Sequence, residues 1–297
     1  MWVVLAICSA LLLGIYDVFK KRSLMDNAVI PVLFLSIVIS TFMFVPIVVL
    51  SVVSEDFKDS VLYVPKADLE AHLYIFVKAV IVLGSWICAY FGVNNIPITI
   101  FSPIRATQPI WTLIGAVVIY AEVLSGWQVA GIALTIVSFY FFSIAGLKEG
   151  VSWKSNRWVW LVILATLLGA VSGLYDKFLM KQFDRMTVQV YSSVYQTILM
   201  AAVLFFLWYP NRSNTTPFHW RWSIVGISVF LVLADFVYFK ALSMDDALIS
   251  VVSTIRRSGA VVPFAYGALF LHEKNLKVKT VLLCGVLTGV FLLYVGS

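Results

Sequence analysis

The chain has 297 residues, of which 62% are hydrophobic and only 12% charged, with a mean hydropathy of +0.98. Soluble domains carry roughly 25% charged residues, so a soluble enzyme, a disordered chain and a disulfide scaffold are excluded. The net charge of +6 speaks to loop topology rather than to nucleic acid, which needs a solvated basic patch.

In chain order, apolar stretches of the length a bilayer demands, about 20 residues, fall at 2–20, 29–53, 72–94, 98–121, 125–145, 157–181, 187–209, 222–243, 248–271 and 277–296. The first has no basic leader region and no small-residue cleavage site before Lys20-Lys21-Arg22, so it stays as a span. The segments are continuously apolar without alternation, which argues against a closed strand barrel. Trp153, Trp158, Trp208, Tyr209 and Trp220 sit near predicted ends, as an interfacial belt requires. Only residues 54–71 and 210–221 form sizeable loops, so no soluble domain is expected. Cys8, Cys88 and Cys284 lie in apolar runs without metal spacing and read as buried thiols.

Leu13-Gly14-Ile15-Tyr16-Asp17 in span 1 matches Ser172-Gly173-Leu174-Tyr175-Asp176 in span 6 at an offset of 159 residues. Further on, an offset of 151 aligns Ser102-Pro103-Ile104-Arg105 with Ser253-Thr254-Ile255-Arg256, and Glu122 with Glu273. The difference fits a longer loop between spans 2 and 3 than between 7 and 8. Three matches in the same order point to duplication, with residues 1–147 as one five-helix repeat and 157–297 as the other. Five is odd, so the second copy enters the membrane inverted. Inverted repeats place a solute site at their interface near the midplane and support alternating access. The expected fold is an all-α membrane protein, ten transmembrane helices built as two inverted five-helix repeats around a central cavity.

The segment Gly115 to Thr135, with Glu122-Val123-Leu124-Ser125-Gly126 and then Gly131, resembles the glutamate-ended fourth helix, short turn and glycine-bearing fifth helix of the EamA-like branch of the drug/metabolite transporter superfamily. Gly267 to Gly289, with Glu273, is a looser copy in which Lys277 and Lys279 replace the usual turn residues. The resemblance implies a secondary transporter in which helices 1–4 and 6–9 line a central cavity while 5 and 10 pack outside. Gly169-x-x-x-Gly173 and Gly285-x-x-x-Gly289 are small-residue pairs that permit close helix contact, although glycine is common in membrane helices.

An ionisable residue near a span centre costs at least ~2.5 kcal/mol and faces a wet cavity or a partner. Arg105 falls within span 4, Arg256 and Arg257 within span 9, Lys78 within span 3 and Asp235 within span 8. Four basic groups thus face one acid. Guanidinium presents a donor fork suited to carboxylate or phosphate, and the Arg256-Arg257 pair resembles the basic pair on the ninth helix of phosphate-carrying members of the superfamily. Two readings stand: a bound anion compensates these charges, or Asp235 tethers one arginine while water and helix ends hold the rest.

Polar and aromatic residues recur at helical spacing: Lys78, Ser85, Trp86, Tyr90 and Asn94 in span 3, Ser102, Arg105, Pro109 and Thr112 in span 4, Tyr191, Ser192, Tyr195 and Gln196 in span 7, and Ser250, Thr254, Arg257 and Ser258 in span 9. The candidate substrate-binding residues are Arg105, Arg256, Arg257, Lys78, Trp86, Tyr90, Tyr191, Tyr195 and Gln196. Asp17 and Asp176 end spans 1 and 6. With Asp235 they are candidates for proton coupling, unless Lys20, Lys21 or Lys177 pairs with them at the interface. Glu122 and Glu273 fix turns at helix ends or act in transport. Pro97, Pro103 and Pro109 around span 4 and Pro263 in span 9 can bend their helices and gate the cavity, although proline is ordinary in membrane helices.

His72, His219 and His272 are scattered, and no nucleophile elbow, zinc-protease or P-loop signature occurs. Neither an enzyme nor an ATP-driven pump is expected, and no cofactor, metal or nucleic-acid partner. Lys/Arg counts in the loops, taken literally, put the termini outside, whereas the resemblance implies termini inside. The expected function is secondary transport of a small anionic or zwitterionic metabolite by alternating access in an inner or plasma membrane. A monomer is self-sufficient because one chain supplies both halves. The alternatives are an exporter of amino acids or hydrophobic drugs, a lipid-linked headgroup flippase, which needs a lateral opening, and a non-transporting scaffold, against which the polar interior argues.

Overall fold

A chain this apolar satisfies its backbone hydrogen bonds within helices. The computed structural model describes residues 1–95, 104–105, 107–144, 157–259, 262 and 276–296, and every regular element among them is helical. They are α1 (Trp2–Leu24), α2 (Val29–Val53), α3 (Leu69–Asn95), α4 (Gln108–Tyr120), α5 (Gly126–Ile144), α6 (Arg157–Gln182), α7 (Arg185–Val203), α8 (Ser223–Leu242), α9 (Ile249–Ser258) and α10 (Leu276–Val295). By length and composition α1, α2, α3, α6, α7 with its continuation, and α8 suffice to cross a membrane. Pro97, Ser102, Pro103, Trp153, Pro263, Gly267, His272, Glu273 and the side chains of Lys21, Asn94, Lys277 and Lys279 lie outside the described residues.

The described helices begin and end close to the predicted spans except in spans 4 (98–121) and 9 (248–271), where only Gln108–Tyr120 and Ile249–Ser258 are described as helices; elsewhere there are two informative departures. The Asp184 carboxylate caps α7 by accepting from the Met186 and Thr187 amides at 2.8 and 3.0 Å, a standard N-terminal signal. At its other end α7 leaves α geometry for a π turn at Leu204–Trp208 and a 3-10 turn at Tyr209–Asn214. The second departure is that α1 runs on to Leu24. Asp17 therefore lies inside its helix rather than at the end, as does Asp176 in α6.

The helices pair across the chain: α1 with α8, α3 with α6, α2 with α7, α4 with α9, and α5 with α10. Exchanging the first five helices for the last five turns α1–α8 into α6–α3 and leaves the other three pairs unchanged. The α5–α10 contact brings backbones together, as the small-residue pair Gly285/Gly289 anticipates. A Cβ on Gly289 would sit 2.9 Å from the Gly131 carbonyl oxygen and 3.1 Å from the Thr135 nitrogen. Buried hydroxyls join neighbouring helices: Ser9 donates to the Ala234 carbonyl at 2.7 Å, Ser228 to that of Ser36 at 2.8 Å, and Thr41 meets the Ser193 hydroxyl at 2.7 Å. Such bonds suit a bundle whose helices gain little from apolar contact alone. The loop after α2 carries a 3-10 turn at Asp56–Asp59 and is strapped down by Arg185, which donates to the Val61 carbonyl at 2.9 Å.

The three thiols are not buried. Cys8 and Cys284 are exposed on the bundle's outside and Cys88 is half-buried. In a helix bundle of this composition an apolar residue is as well placed facing lipid as facing the core, so apolar surroundings in sequence do not imply burial.

Candidate functional site

A cavity of about 510 Å³ runs between the helices. Its wall is drawn from α1, α2, α3, α4 with the preceding Arg105, α6, α7, α8 and α9. Among the described residues α10 contributes Val286 alone and α5 nothing. This is the division between lining and outer helices that the resemblance implies.

Three ion pairs stand in the wall. Lys20 reaches one turn back along α1 to Asp17 at 2.9 Å, with its ammonium 4.8 Å from the Tyr16 ring and 5.8 Å from that of Tyr90. Lys78 of α3 pairs with Asp176 of α6. The Tyr238 hydroxyl also donates to Asp176, at 3.2 Å, and the Lys78 ammonium lies 4.8 Å from the Phe239 ring. Arg256 of α9 pairs with Asp235 of α8 at 2.8 Å and lies over the Tyr238 ring at 3.9 Å. Tyr238 thus links the second and third pairs.

Two guanidiniums remain. Arg105 donates to the Ala165 carbonyl of α6 at 3.0 Å, and Arg257 donates to the Gln108 carboxamide oxygen at the start of α4. Neither has a carboxylate partner among the described residues, and both line the cavity. On the insertion scale each unpaired cation at membrane depth costs at least ~2.5 kcal/mol, so a compensating anion has a large interaction to gain here.

The approach of α9 to this cavity is fixed from outside it. Ala121 takes the left-handed conformation (φ 50°) at the end of α4, and the next residue, Glu122, reaches the start of α9. Its carboxylate accepts from the Ile249 amide at 2.6 Å, the Ser250 amide at 3.3 Å and the Ser250 hydroxyl at 2.5 Å. A carboxylate is favoured there by the unsatisfied amides and the helix dipole. Lys177 adds a bond to the Ala247 carbonyl at 2.5 Å. Glu122 therefore secures another helix as well as standing in its own turn. Consecutive residues of a helix point about 100° apart, which sends Arg256 toward α8 and Arg257 toward α4.

Of the candidate residues, Arg105, Arg256, Arg257, Lys78, Trp86, Tyr90 and Gln196 line the cavity, and so do Asp17, Asp176 and Asp235. Tyr191 and Tyr195 do not. Tyr191 packs edge-on to His72 with ring centroids 4.6 Å apart, and the Tyr195 hydroxyl is hydrogen-bonded to His72 Nδ1 at 3.0 Å. Helical phase is the reason: Gln189, Ser192, Ser193 and Gln196 share the cavity face of α7, and the two tyrosines fall on another. Of the partners offered from sequence, Lys20 pairs with Asp17, whereas Asp176 takes Lys78 in place of Lys177. Among the described residues lining the cavity the balance is accordingly five cations to three carboxylates rather than four to one. Gln108 and Tyr238 are not singled out from sequence, yet each lies three residues after a charged candidate (Arg105 and Asp235) on the same helical face.

A solved structure described as "Crystal structure of protein" superposes with a TM-score of 0.72 at 10% sequence identity, covering 98% of this chain and 95% of that one. At such identity the likeness concerns the fold alone. Comparison with curated proteins gives no match. The model of the EamA-like transporter family matches residues 1–144 and again 156–295. With apolar helices around a charged central cavity and both halves of the sequence matched, the chain is an integral membrane protein and belongs to the EamA-like transporter family, whose members move small solutes across membranes.

Proposed function

We propose that this protein is a secondary transporter of an inner or plasma membrane that carries a small anionic solute, held in the central cavity by Arg105 and Arg257. The observation that carries this reading is that, among the described residues, these two guanidiniums face the cavity with only a carbonyl and a carboxamide as partners. A guanidinium offers five donors in a fixed fork, and one donor of each is engaged. Trp86, Tyr90 and Gln196 shape the rest of the site. Lys78 and Arg256 are occupied by Asp176 and Asp235 and hold the cavity's form. Residues 1–147 and 157–297 act as two inverted repeats that rock about the site in alternating access, and the helix pairing that survives exchange of the halves supports this.

The aromatic wall of Tyr16, Trp86 and Tyr90, together with the three lysine- or arginine-based ion pairs, favours one second reading: an exporter of aromatic or hydrophobic compounds. Thermal stabilisation of the detergent-purified protein separates the two, because a ligand at 100 times its Kd adds about 2.7 kcal/mol. Carboxylates and phosphate esters are expected to stabilise the protein, and Arg257→Gln is expected to abolish the shift while the variant stays folded and monodisperse. Stabilisation confined to neutral or cationic aromatic compounds refutes the anion site.

A further inference from the structure

Among the described residues the cavity wall holds five cationic side chains, Lys20, Lys78, Arg105, Arg256 and Arg257, against three carboxylates, Asp17, Asp176 and Asp235. Each carboxylate is committed to its own lysine or arginine at ion-pair distance, so the three pairs contribute no net charge. The remainder is two, and it resides on Arg105 and Arg257. We infer that the transported solute is a dianion, a phosphate monoester or a dicarboxylate. This deepens the anion reading and rests on it.

The alternatives meet specific obstacles. A zwitterion needs a free carboxylate for its ammonium group, and all three cavity carboxylates are engaged. It would also bring no net charge to offset the two guanidiniums. A monoanion leaves one guanidinium uncompensated in a site walled by apolar helices. A dianion satisfies both, replacing neutral acceptors with charge-assisted bonds of roughly twice the strength. The two arginines are placed to share one ligand. Arg257 holds the side chain of Gln108, which in turn lies against Gly169 on α6, one turn beyond the Ala165 carbonyl held by Arg105. A cavity of about 510 Å³ is within the range of small-molecule sites, about 300–1,000 Å³, and has room for a charged group with a body attached.

Binding to isosteres that differ only in charge tests this at constant ionic strength and neutral pH. The probes are succinate, its monoamide succinamate and its diamide succinamide, with glycerol 3-phosphate against its monoanionic methyl phosphodiester, and chloride as the ionic-strength control. The readouts are thermal stabilisation and calorimetric Kd on the full-length protein. At least one dianion is expected to bind about tenfold or more tightly than its monoanionic or neutral analogue, a difference of about 1.4 kcal/mol. Whether succinate or glycerol 3-phosphate shows it identifies the carboxylate or the phosphate class. Arg257→Gln and Arg105→Gln, which each leave one uncompensated charge, are expected to bring the succinate-to-succinamate ratio toward one. Arg105→Lys, which keeps the charge, retains it. If succinamate binds as tightly as succinate, and Arg257→Gln weakens both equally, the dianion is refuted while the anion site stands. If no dianion exceeds the chloride control, the dianion is refuted; if neutral or cationic aromatics then bind instead, the anion site falls with it.

Discussion

Lys78 and Asp176 form the most deeply buried ion pair among the described residues, with side chains 5% and 8% exposed. Removing one member leaves the other charged and buried, which costs about 3–5 kcal/mol. Lys78→Met is the severe case, because Asp176 then keeps only the Tyr238 hydroxyl at 3.2 Å. Asp176→Asn is milder. The amide oxygen still accepts from Tyr238 or from Lys78, so the loss is that of a charged hydrogen bond, about 1.5–3 kcal/mol. Removing both with Lys78→Met/Asp176→Leu abolishes the burial of charge altogether. It should restore stability to within about 1 kcal/mol of the parent, the remaining deficit being the stranded Tyr238 hydroxyl. The two single effects are thus strongly non-additive, and a double-mutant cycle on equilibrium unfolding in mixed detergent measures the coupling. If Lys78→Met costs less than about 1 kcal/mol, or if the double variant is as unstable as the worse single one, the buried-pair reasoning is refuted. The same double variant also bears on coupling. If Asp176 carries a transported proton, transport by the restored protein loses its pH dependence; if the pair is a tether, transport and its pH profile survive.

Two further outcomes follow from packing at other sites. Glu122→Gln keeps an acceptor at the start of α9 but removes its charge, costing about 1 kcal/mol; hydrogen exchange at the Ile249 and Ser250 amides should accelerate, and unchanged protection refutes the cap. Gly289→Ala drives a methyl against the Gly131 carbonyl and the Thr135 backbone of α5, an overpacking worth about 1–3 kcal/mol. Gly126→Ala, where a Cβ meets nothing within 4 Å, is the control and should leave the unfolding midpoint unchanged.

The spans were legible because apolar runs long enough for a bilayer are their own signal, whatever the helices later pack against. The change of geometry in α7 was not. Leu204–Trp208 continues the apolar run without a proline or glycine, and only Pro210 beyond it marks a break, so a π turn there leaves no trace in hydropathy. Asp17 was assigned to a helix end because Lys20-Lys21-Arg22 looks like a stop. In the fold the α1 helix passes through that cluster, and the Lys20 ammonium turns back to Asp17, the kind of bend that a long flexible stem allows. Tyr191 and Tyr195 were grouped with Ser192 and Gln196 because all four are polar or aromatic within two turns. Phase separates them, and phase alone would have done so from the sequence had Gln189 and Ser193 been used to define the polar face.

The two leftover guanidiniums have a cause that the duplication exposes. Arg105 and Arg256 occupy equivalent positions at the offset of 151 residues, as do Gly84 and Asp235. Arg256 finds Asp235 on α8. The matching place on α3 is a glycine with no side chain to offer, so Arg105 donates to a backbone carbonyl of α6 instead. Asp17 and Asp176 are likewise equivalent, and Asp176 takes Lys78 from α3. The counterpart of Lys78 on α8 is Val229, so Asp17 turns to Lys20 on its own helix. A symmetric scaffold therefore carries an unsymmetric set of charges: the second half closes its ion pairs across helices, and the first leaves Arg105 open. Arg257 has the aliphatic Ala106 as its counterpart and extends the same imbalance. In the proposed alternating-access cycle, symmetry of the frame permits equivalent outward and inward states, whereas the proposed solute site needs no symmetry. It needs charges that a solute can complete, and divergence between the copies at positions 84, 106, 229 and 235 has supplied them.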